Sequence, residues 1–374
     1  MKPRSIAIAG SGIVARSTAV LARKFYPDAR ILIGGRRREK AEEIARLVGG
    51  EAFDLPSEGI TPGLLDVLKG ADVLIDCLPG REASRMAEAA LKSGTNYLNI
   101  TEHVRATEEI MKMVSEAENP PLFILQAGLA PGFVNVLAVR LAEVFRERFG
   151  REPEEIRMRV GALTPNVSSP YFYARTWSAA GVAVEYVEPS IVVRDGEVLR
   201  VPSLSEPETL ILNGKVLEAD LTSGGAASTP DYFAGKVRRL DYKTLRWPGH
   251  YTWVRGLLET WRYLGREERI EHLLEELKRI PLVEEDLVII YVAVSGHDGE
   301  GELRALERVI EVRPRDYDGH RLSALQATTT GGALAAMDVV PEDFPKRVVL
   351  QTDLPAGEYL KNRIIREIYG DLGL

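Results

Sequence analysis

Residues 5–16 read Ser-Ile-Ala-Ile-Ala-Gly-Ser-Gly-Ile-Val-Ala-Arg, and no other stretch restricts the possible folds as tightly. An apolar run over 6–9 enters the turn Gly10-x-Gly12-x-x-Ala15, and an apolar helical stripe follows through Val14, Thr18, Ala19, Leu21 and Ala22. Strand, glycine turn and helix in that order form the context in which a dinucleotide is bound. Gly10 permits the sharp turn, Gly12 leaves the backbone open to a pyrophosphate, and Ala15 lets the helix pack close to the strand. Ser11, Ile13 and Val14 complete the cradle, where unpaired N–H groups and the positive end of the helix dipole attract phosphate. As local structure alone, the same string is a glycine-rich turn between a strand and a helix.

The pattern repeats beyond that turn. Strand-like apolar runs occur at 6–9, 30–33, 51–55, 73–77, 97–100 and 122–126, with helical patterns at 13–24, 37–48, 62–69, 82–93 and 104–117. Such alternation predicts an α/β fold, a Rossmann doubly wound parallel sheet. The runs at 73–75 and 123–125 are apolar throughout, as strands covered by helices on both faces must be. From about residue 150 the grammar changes. Asp195-Gly196 within 191–201 and Asn213-Gly214 within 209–218 supply the positive φ of two-residue hairpin turns. A longer strand pair follows at 286–295 and 302–312, with helices over 252–263 and 266–279. Residues 320–339, rich in Ala, Leu and Thr, and an amphipathic 356–368 return to helix. The expected layout is a Rossmann domain over 1–131, an inserted α+β domain over 132–319, and C-terminal helices over 320–374 that return to the first domain.

Charge and cysteine content exclude several classes of function. The net charge is −7 and no basic run is long enough to track a nucleic-acid backbone, so no nucleic-acid partner is expected. The single cysteine, Cys77, gives neither an intramolecular disulfide nor metal-ligand spacing. His272, His297 and His320 read as surface positions, and no metal is expected. No apolar stretch reaches the ~18 residues of a membrane span, so no membrane partner is expected either. The opening Met1-Lys2-Pro3-Arg4 has no leader pattern, which makes a reducing cytoplasm the expected compartment.

The second strand sets the cofactor expectation. Sheets of this kind that bind NAD place an acidic residue at its end, about 20 residues past the glycine turn, to accept from the ribose 2′-hydroxyl. Here that position reads Ile33-Gly34-Gly35-Arg36-Arg37-Arg38. Gly35 removes side-chain bulk, and Arg36 or Arg37 can close on a 2′-phosphate through charge-assisted N–H donors. NADP(H) is therefore favoured, with NAD(H) possible; the competing account is a solvated basic helix start, which the dipole disfavours. Asp54, ending the third strand, stands where an adenine amino group is met, or caps the next turn. Cys77, Leu78 and Pro79 follow the fourth strand and should border the nicotinamide ribose, with Cys77 a small core filler rather than a nucleophile.

At Gln126-Ala-Gly128-Leu129-Ala130-Pro131-Gly132-Phe-Val-Asn135 the chain resembles the saccharopine dehydrogenase-like family, which carries a similar turn between its Rossmann sheet and second domain. The resemblance continues at Thr176-Trp177-Ser178-Ala-Ala-Gly181-Val and Pro202-Ser203-Leu204-Ser205-Glu206, then at Thr222-Ser223-Gly224-Gly225. It extends to Tyr242-Lys243-Thr244-Leu245-Arg246-Trp247-Pro248-Gly249-His250 and Ser323-Ala324-Leu325-Gln326-Ala327-Thr328-Thr329. The combined strings are most similar to the lysine 6-dehydrogenase branch. The resemblance implies nicotinamide-dependent hydride transfer at a carbon–nitrogen bond of a small amino-acid substrate, in a homodimer formed through the second domain. It also places Gly128, Leu129, Ala130 and Pro131 beside the cofactor. Two departures stand out. Asn99-Ile-Thr-Glu102-His103 replaces an Asp followed by Gly-Gly-His, and the Gly-Gly-Arg-Arg start of the second helix resembles NADP-using saccharopine and carboxynorspermidine reductases.

Amine oxidation needs a group that holds or releases a proton near neutral pH. His103 has that chemistry, and the adjacent Glu102 can share the proton. A substrate carboxylate needs a cation: Arg246 is the first candidate and Lys243 the second. Trp177 and Tyr173 are candidates to wall an aliphatic stem, with His250 at the end of the Arg246 string as a further contact. The expected crevice is bounded by 10–14, 78–79, 102–103 and 128–131, with Arg246 reaching in. The expected reaction is NAD(P)-dependent oxidation or reduction at a C–N bond of lysine or a lysine-derived amino acid. Two alternatives stand beside it: an imine reductase that builds a saccharopine- or carboxynorspermidine-type secondary amine, and a cofactor-binding regulator without turnover.

Overall fold

The computed structural model describes residues 1–165, 167 and 169–374. Its contacts divide the chain into two units, one of Met1–Val136, Arg315–Leu322 and Gln326–Gly373, the other of Leu137–Pro314, Ser323–Leu325 and Leu374.

In the first unit β1 (Ser5–Ala9), α1 (Ile13–Phe25), β2 (Arg30–Gly35), α2 (Arg38–Val48) and β3 (Glu51–Asp54) follow one another. After them come α3 (Pro62–Lys69), β4 (Val73–Asp76), α4 (Ala83–Ser93), β5 (Asn96–Asn99), α5 (Val104–Ser115) and β6 (Phe123–Ile124). The central runs β1 and β4 are buried over their whole length: Ile6, Ile8, Leu74 and Ile75 are at most 1% exposed. Each such side chain contributes about 1.5–3 kcal/mol by leaving water. Helix boundaries follow local chemistry. Thr61 caps α3 through Leu64 N–H, and Gly49 and Gly94 end α2 and α4 in the left-handed conformation. The sixth strand is shorter than 122–126. Gln126 takes a φ of 57°, and its N–H is donated to the Asn99 side chain at 2.8 Å instead of to a strand.

Helix α6 (Phe133–Phe149) carries the chain into the second unit, where β7 (Glu155–Leu163) begins a mixed sheet. There follow α7 (Ala179–Val187), the hairpins β8 (Ser190–Arg194)–β9 (Glu197–Val201) and β10 (Glu208–Leu212)–β11 (Lys215–Leu221), and α8 (Thr229–Phe233). Next are β12 (Arg239–Arg246), α9 (His250–Thr260), α10 (Arg266–Lys278), β13 (Leu287–His297) and β14 (Leu303–Val312). Both hairpins turn at the expected pairs, with positive φ at Asp195, Gly196, Asn213 and Gly214. The strands run in the order β10-β11-β12-β7-β13-β14, with β8 also on β12. The sheet curls, because Lys215 at the β10–β11 turn reaches Glu311 of β14 at 2.7 Å. Strand β12 lies parallel to β7, a pairing that hairpin signals do not reveal. Helices α7, α9 and α10 share one apolar cluster through Val182, Tyr186, Val254, Leu273 and Leu277.

The chain then forms β15 (Arg315–Tyr317), β16 (His320–Leu322), α11 (Ala324–Val339), β17 (Val348–Val349), α12 (Ala356–Lys361) and α13 (Arg363–Tyr369). The helical reading of 320–339 is corrected at its start. Asp318 and Gly319 take positive φ and fold 320–322 back on 315–317 as a hairpin. The helix over 356–368 is divided by Asn362, which is extended and caps Ile364 N–H at 2.8 Å. Among the described residues the first sheet holds seven strands in the order β17-β6-β5-β4-β1-β2-β3, every pair parallel. It is a Rossmann-type sheet, and the second unit holds a mixed one.

Candidate active site

Because β6, β5, β4, β1 and β2 are adjacent and parallel, the loops that follow them share one edge of the first sheet. Gly10 takes a φ of 126° and donates its N–H to Gly34 O at 2.9 Å. Gly12 is the extended N-cap of α1, and a β-carbon built on it meets nothing within 4 Å. No side chain caps α1 and no acidic residue occupies its first turn. Ser11 and Val14 are half-buried, while Ile13 is 50% exposed, an apolar side chain held at the rim. Open space, a free helix N-terminus and a glycine backbone fit a dinucleotide pyrophosphate.

At the end of β2, a β-carbon on Gly35 would lie 2.9 Å from Ala41 Cβ and 3.1 Å from Ser11 Oγ, so only glycine lets α2 and the turn approach there. Arg36 and Arg37 are exposed, and neither side chain makes a hydrogen bond or ion pair with another described residue. The third arginine is engaged: Arg38 pairs with Glu42 at 3.0 Å and with the exposed Asp54 at 3.3 Å. Asp54 therefore faces an arginine as well as the sheet edge.

Asp76, at the end of β4, is 2% exposed. It accepts from Leu78 N–H at 2.9 Å and Tyr97 O–H at 2.8 Å, and so shapes the Leu78–Pro79 loop. Burial pushes its carboxyl up to about 6. Asn99 is its neighbour across β4–β5 and donates Nδ2–H to Tyr97 Oη at 3.4 Å. An Asp at 99 would lose that donor and set a second negative charge beside a buried carboxyl, which accounts for the departure from the family pattern. The Cys77 thiol is pushed up to about 12 by burial and lies 3.4 Å from Thr18 Oγ1, so it stays protonated and packs as a filler.

Glu102 and His103 follow β5. Glu102 is half-buried, and burial raises its carboxyl above the usual carboxylate range. His103 is exposed and caps α5, its Nδ1 accepting from Ala106 N–H at 3.2 Å. That bond puts the neutral ring's proton on Nε2, so a second proton would have to displace the cap. In the neutral ring His103 presents Nε2–H as a hydrogen-bond donor. The Gly128–Pro131 turn contains a cis Ala130–Pro131 bond. Leu129 and Pro131 are buried and Ala130 half-buried, and Gly128 O accepts from Phe133 N–H at 2.9 Å.

In the second unit, alternation along β12 separates the two cationic candidates. Lys243 shares a face with Asp241 and donates to Glu206 O at 2.7 Å, with Glu208 at 3.4 Å. Arg246 is on the opposite face, 3% exposed, and its Nε–H donates to Tyr186 Oη at 2.7 Å. It forms no ion pair among the described residues, although Glu185 attracts it, whereas Lys243 is already paired. The Tyr173 ring centroid lies 5.0 Å from the Arg246 Cζ, and the buried Tyr173 hydroxyl has no partner among the described residues. His250 is fully buried at 3.0 Å from Tyr186 Oη. Tyr173, His250 and Arg246 thus converge. Trp177 packs over Gly181, where a β-carbon would be 2.6 Å from the indole ring.

Sequence reading missed Asp76, Tyr97 and Tyr186. A carboxylate closing the apolar run 73–75 was a visible signal for Asp76. Tyr186 carries none, since its partner is 60 residues away. Among the described residues no group of three or more His, Cys, Asp or Glu side chains is gathered to hold a metal, and no helix is long and apolar enough to cross a membrane.

Comparison with known proteins agrees with this geometry. Residues 6–124 match the family model described as the saccharopine dehydrogenase NADP binding domain, and 128–349 match the saccharopine dehydrogenase C-terminal domain. The apo histidine-tagged saccharopine dehydrogenase (L-Glu forming) from Saccharomyces cerevisiae has a similar fold, with a TM-score of 0.75 over 98% of both chains at 16% identity. Homospermidine synthase from Legionella pneumophila, in complex with NAD, aligns at a TM-score of 0.67, 14% identity, over 98% of this chain and 90% of that one.

Proposed function

Because the chain belongs to the saccharopine dehydrogenase family of oxidoreductases, we propose that it transfers hydride at a carbon–nitrogen bond of lysine or a lysine-derived amino acid, with NADP(H) preferred. The observation that carries this reading is Arg246, a guanidinium 3% exposed that has no ion pair among the described residues. Glu185 attracts this charge without bonding it, and a buried charge is costly without a bonded counter-ion, which a substrate carboxylate would supply. The turn Gly10–Gly12 and the N–H groups opening α1 would hold the pyrophosphate, and Arg36 with Arg37 the 2′-phosphate. When bound, the nicotinamide supplies the hydride acceptor or donor.

The remaining chemistry belongs to side chains. Oxidation removes a hydride from carbon and a proton from nitrogen. Glu102, with its raised carboxyl, takes that proton, and His103 donates Nε2–H to the reacting group. Within the second unit, Arg246 is the candidate anchor for a carboxylate. The active species is a homodimer formed through the second unit, a reading supported by Ile211 and Val216, opposite one another across β10–β11 and 73% and 50% exposed. The test is a two-way assay: NADP⁺ or NAD⁺ reduction with L-lysine, and NADPH oxidation with amino aldehydes paired with amino acids or diamines. Turnover in the second arm alone makes the protein an imine reductase. Cofactor binding without turnover in either arm refutes the enzymatic reading.

A further inference from the structure

We infer that Tyr186 and His250 are positioning residues that aim the Arg246 guanidinium at a carboxylate through a one-directional hydrogen-bond chain; this rests on the reading of Arg246 given above. The direction of each bond follows from chemistry. Arginine only donates, so Tyr186 Oη accepts from Arg246 Nε at 2.7 Å. A carbonyl only accepts, so His250 Nδ1–H donates to Tyr171 O at 2.8 Å. The neutral His250 ring then has a bare Nε2, which accepts the Tyr186 O–H at 3.0 Å. With its proton directed to histidine, the Tyr186 oxygen presents its lone pairs to Arg246.

An imidazolium would break this chain, because its Nε2–H would compete for the same tyrosine oxygen. Burial, and then the Arg246 charge, hold His250 down to about 3, so the ring stays neutral. The guanidinium plane is fixed twice, by Nε on Tyr186 and by Nη1 on Leu245 O at 3.0 Å. The Tyr173 and Tyr186 rings lie 5.0 and 5.6 Å from Cζ. What remains unbonded among the described residues is the Nη2 amino group, and the buried hydroxyl of Tyr173, whose ring lies 5.0 Å from Cζ, is unpartnered too. The fixed Nη2 amino group can donate to one oxygen of a carboxylate, and the Tyr173 hydroxyl is a donor for the other.

The experiment is calorimetric titration of the full chain, loaded with NADPH, with L-lysine and L-glutamate, each against its α-amide. The native chain should bind at least one free acid more than tenfold tighter than its amide, and Arg246→Lys should lose that preference. Tyr186→Phe and His250→Leu should each reduce it at least tenfold while NADPH affinity and melting temperature hold. His250→Gln, whose amide oxygen can accept from Tyr186, should restore much of it, and stands in should His250→Leu fail to fold. If Arg246→Lys abolishes the preference but Tyr186→Phe and His250→Leu retain it, the positioning role is overturned and the anchor stands. If the native chain prefers neither acid over its amide, the anchor itself is wrong and the positioning role falls with it.

Discussion

A β-carbon on Gly80 would stand 2.8 Å from the Cβ of His103 and would collide with the Thr101 hydroxyl. This one approach sets the loop after β4 against the loop after β5, and the Thr101 Oγ1 in turn accepts from His103 N–H at 3.2 Å. Gly80→Ala should therefore displace Thr101 and His103 together. We expect a loss of about 1–3 kcal/mol in urea-unfolding stability and a larger fall in turnover than that loss explains. Turnover equal to the native chain's would show that the approach has no role in the site.

Arg36 and Arg37 should set cofactor choice. NADPH is expected to bind roughly tenfold or more tightly than NADH, and the double change Arg36→Ala, Arg37→Ala should remove most of that difference. Fluorescence titration of both cofactors decides it; equal affinities in the native chain contradict the assignment.

Glu102 should control the acid limb of the pH profile. Its raised carboxyl must be ionised to accept a proton, so the oxidation rate should fall as pH drops through a value above the usual carboxylate range. Glu102→Gln should lower kcat by about 10²-fold or more and flatten that limb.

His103 has two separable roles. His103→Ala should cost about 1 kcal/mol through loss of the α5 cap, whereas His103→Asn keeps a capping oxygen and should remain near native stability. Both should weaken turnover, because both lack Nε2–H. Full activity in the Asn variant would confine His103 to capping.

Asp76 makes a pH-dependent contribution to stability. Its folded value of about 6 exceeds the ordinary 3.8. The native state therefore holds the proton more tightly, and this stabilising term is complete below pH 4 and lost as pH rises through 6. Asp76→Asn lacks the titration. Its stability relative to the native chain should improve by on the order of 2–3 kcal/mol between pH 4 and 7. A difference that stays constant with pH would place the proton elsewhere.

Much of the first unit was legible because its rules are local. A glycine at φ 126° and a free helix start depend on residues within a few positions of one another, and so do the second unit's hairpin turns at Asp195-Gly196 and Asn213-Gly214. The exposed, unpaired Arg36 and Arg37 were legible for the same reason, since a missing carboxylate at a strand end is visible in a string. The candidate site was less so. Lys243 and Arg246 share one motif yet face opposite sides of β12, and that separation requires knowing that 239–246 is a strand. That His103 Nδ1 also caps α5 through the Ala106 N–H is read only from the folded helix start.

The amino-acid sequence by itself determined that this chain builds a dinucleotide turn, a parallel α/β sheet and a hairpin-rich second part, because those follow from short-range sterics and the period of apolar residues. Only the tertiary structure decided which distant groups meet. The two-residue β17 is too short to carry a pattern and exists because β6 pairs with it. Asp76 owes its raised carboxyl to burial beneath neighbouring strands and helices. Arg246 owes its orientation to Tyr186 and His250, which long-range folding brings to it through β12, α7 and α9. Contacts of that kind draw their energy from burial and directed hydrogen bonds between segments far apart in the chain, and no local pattern records them.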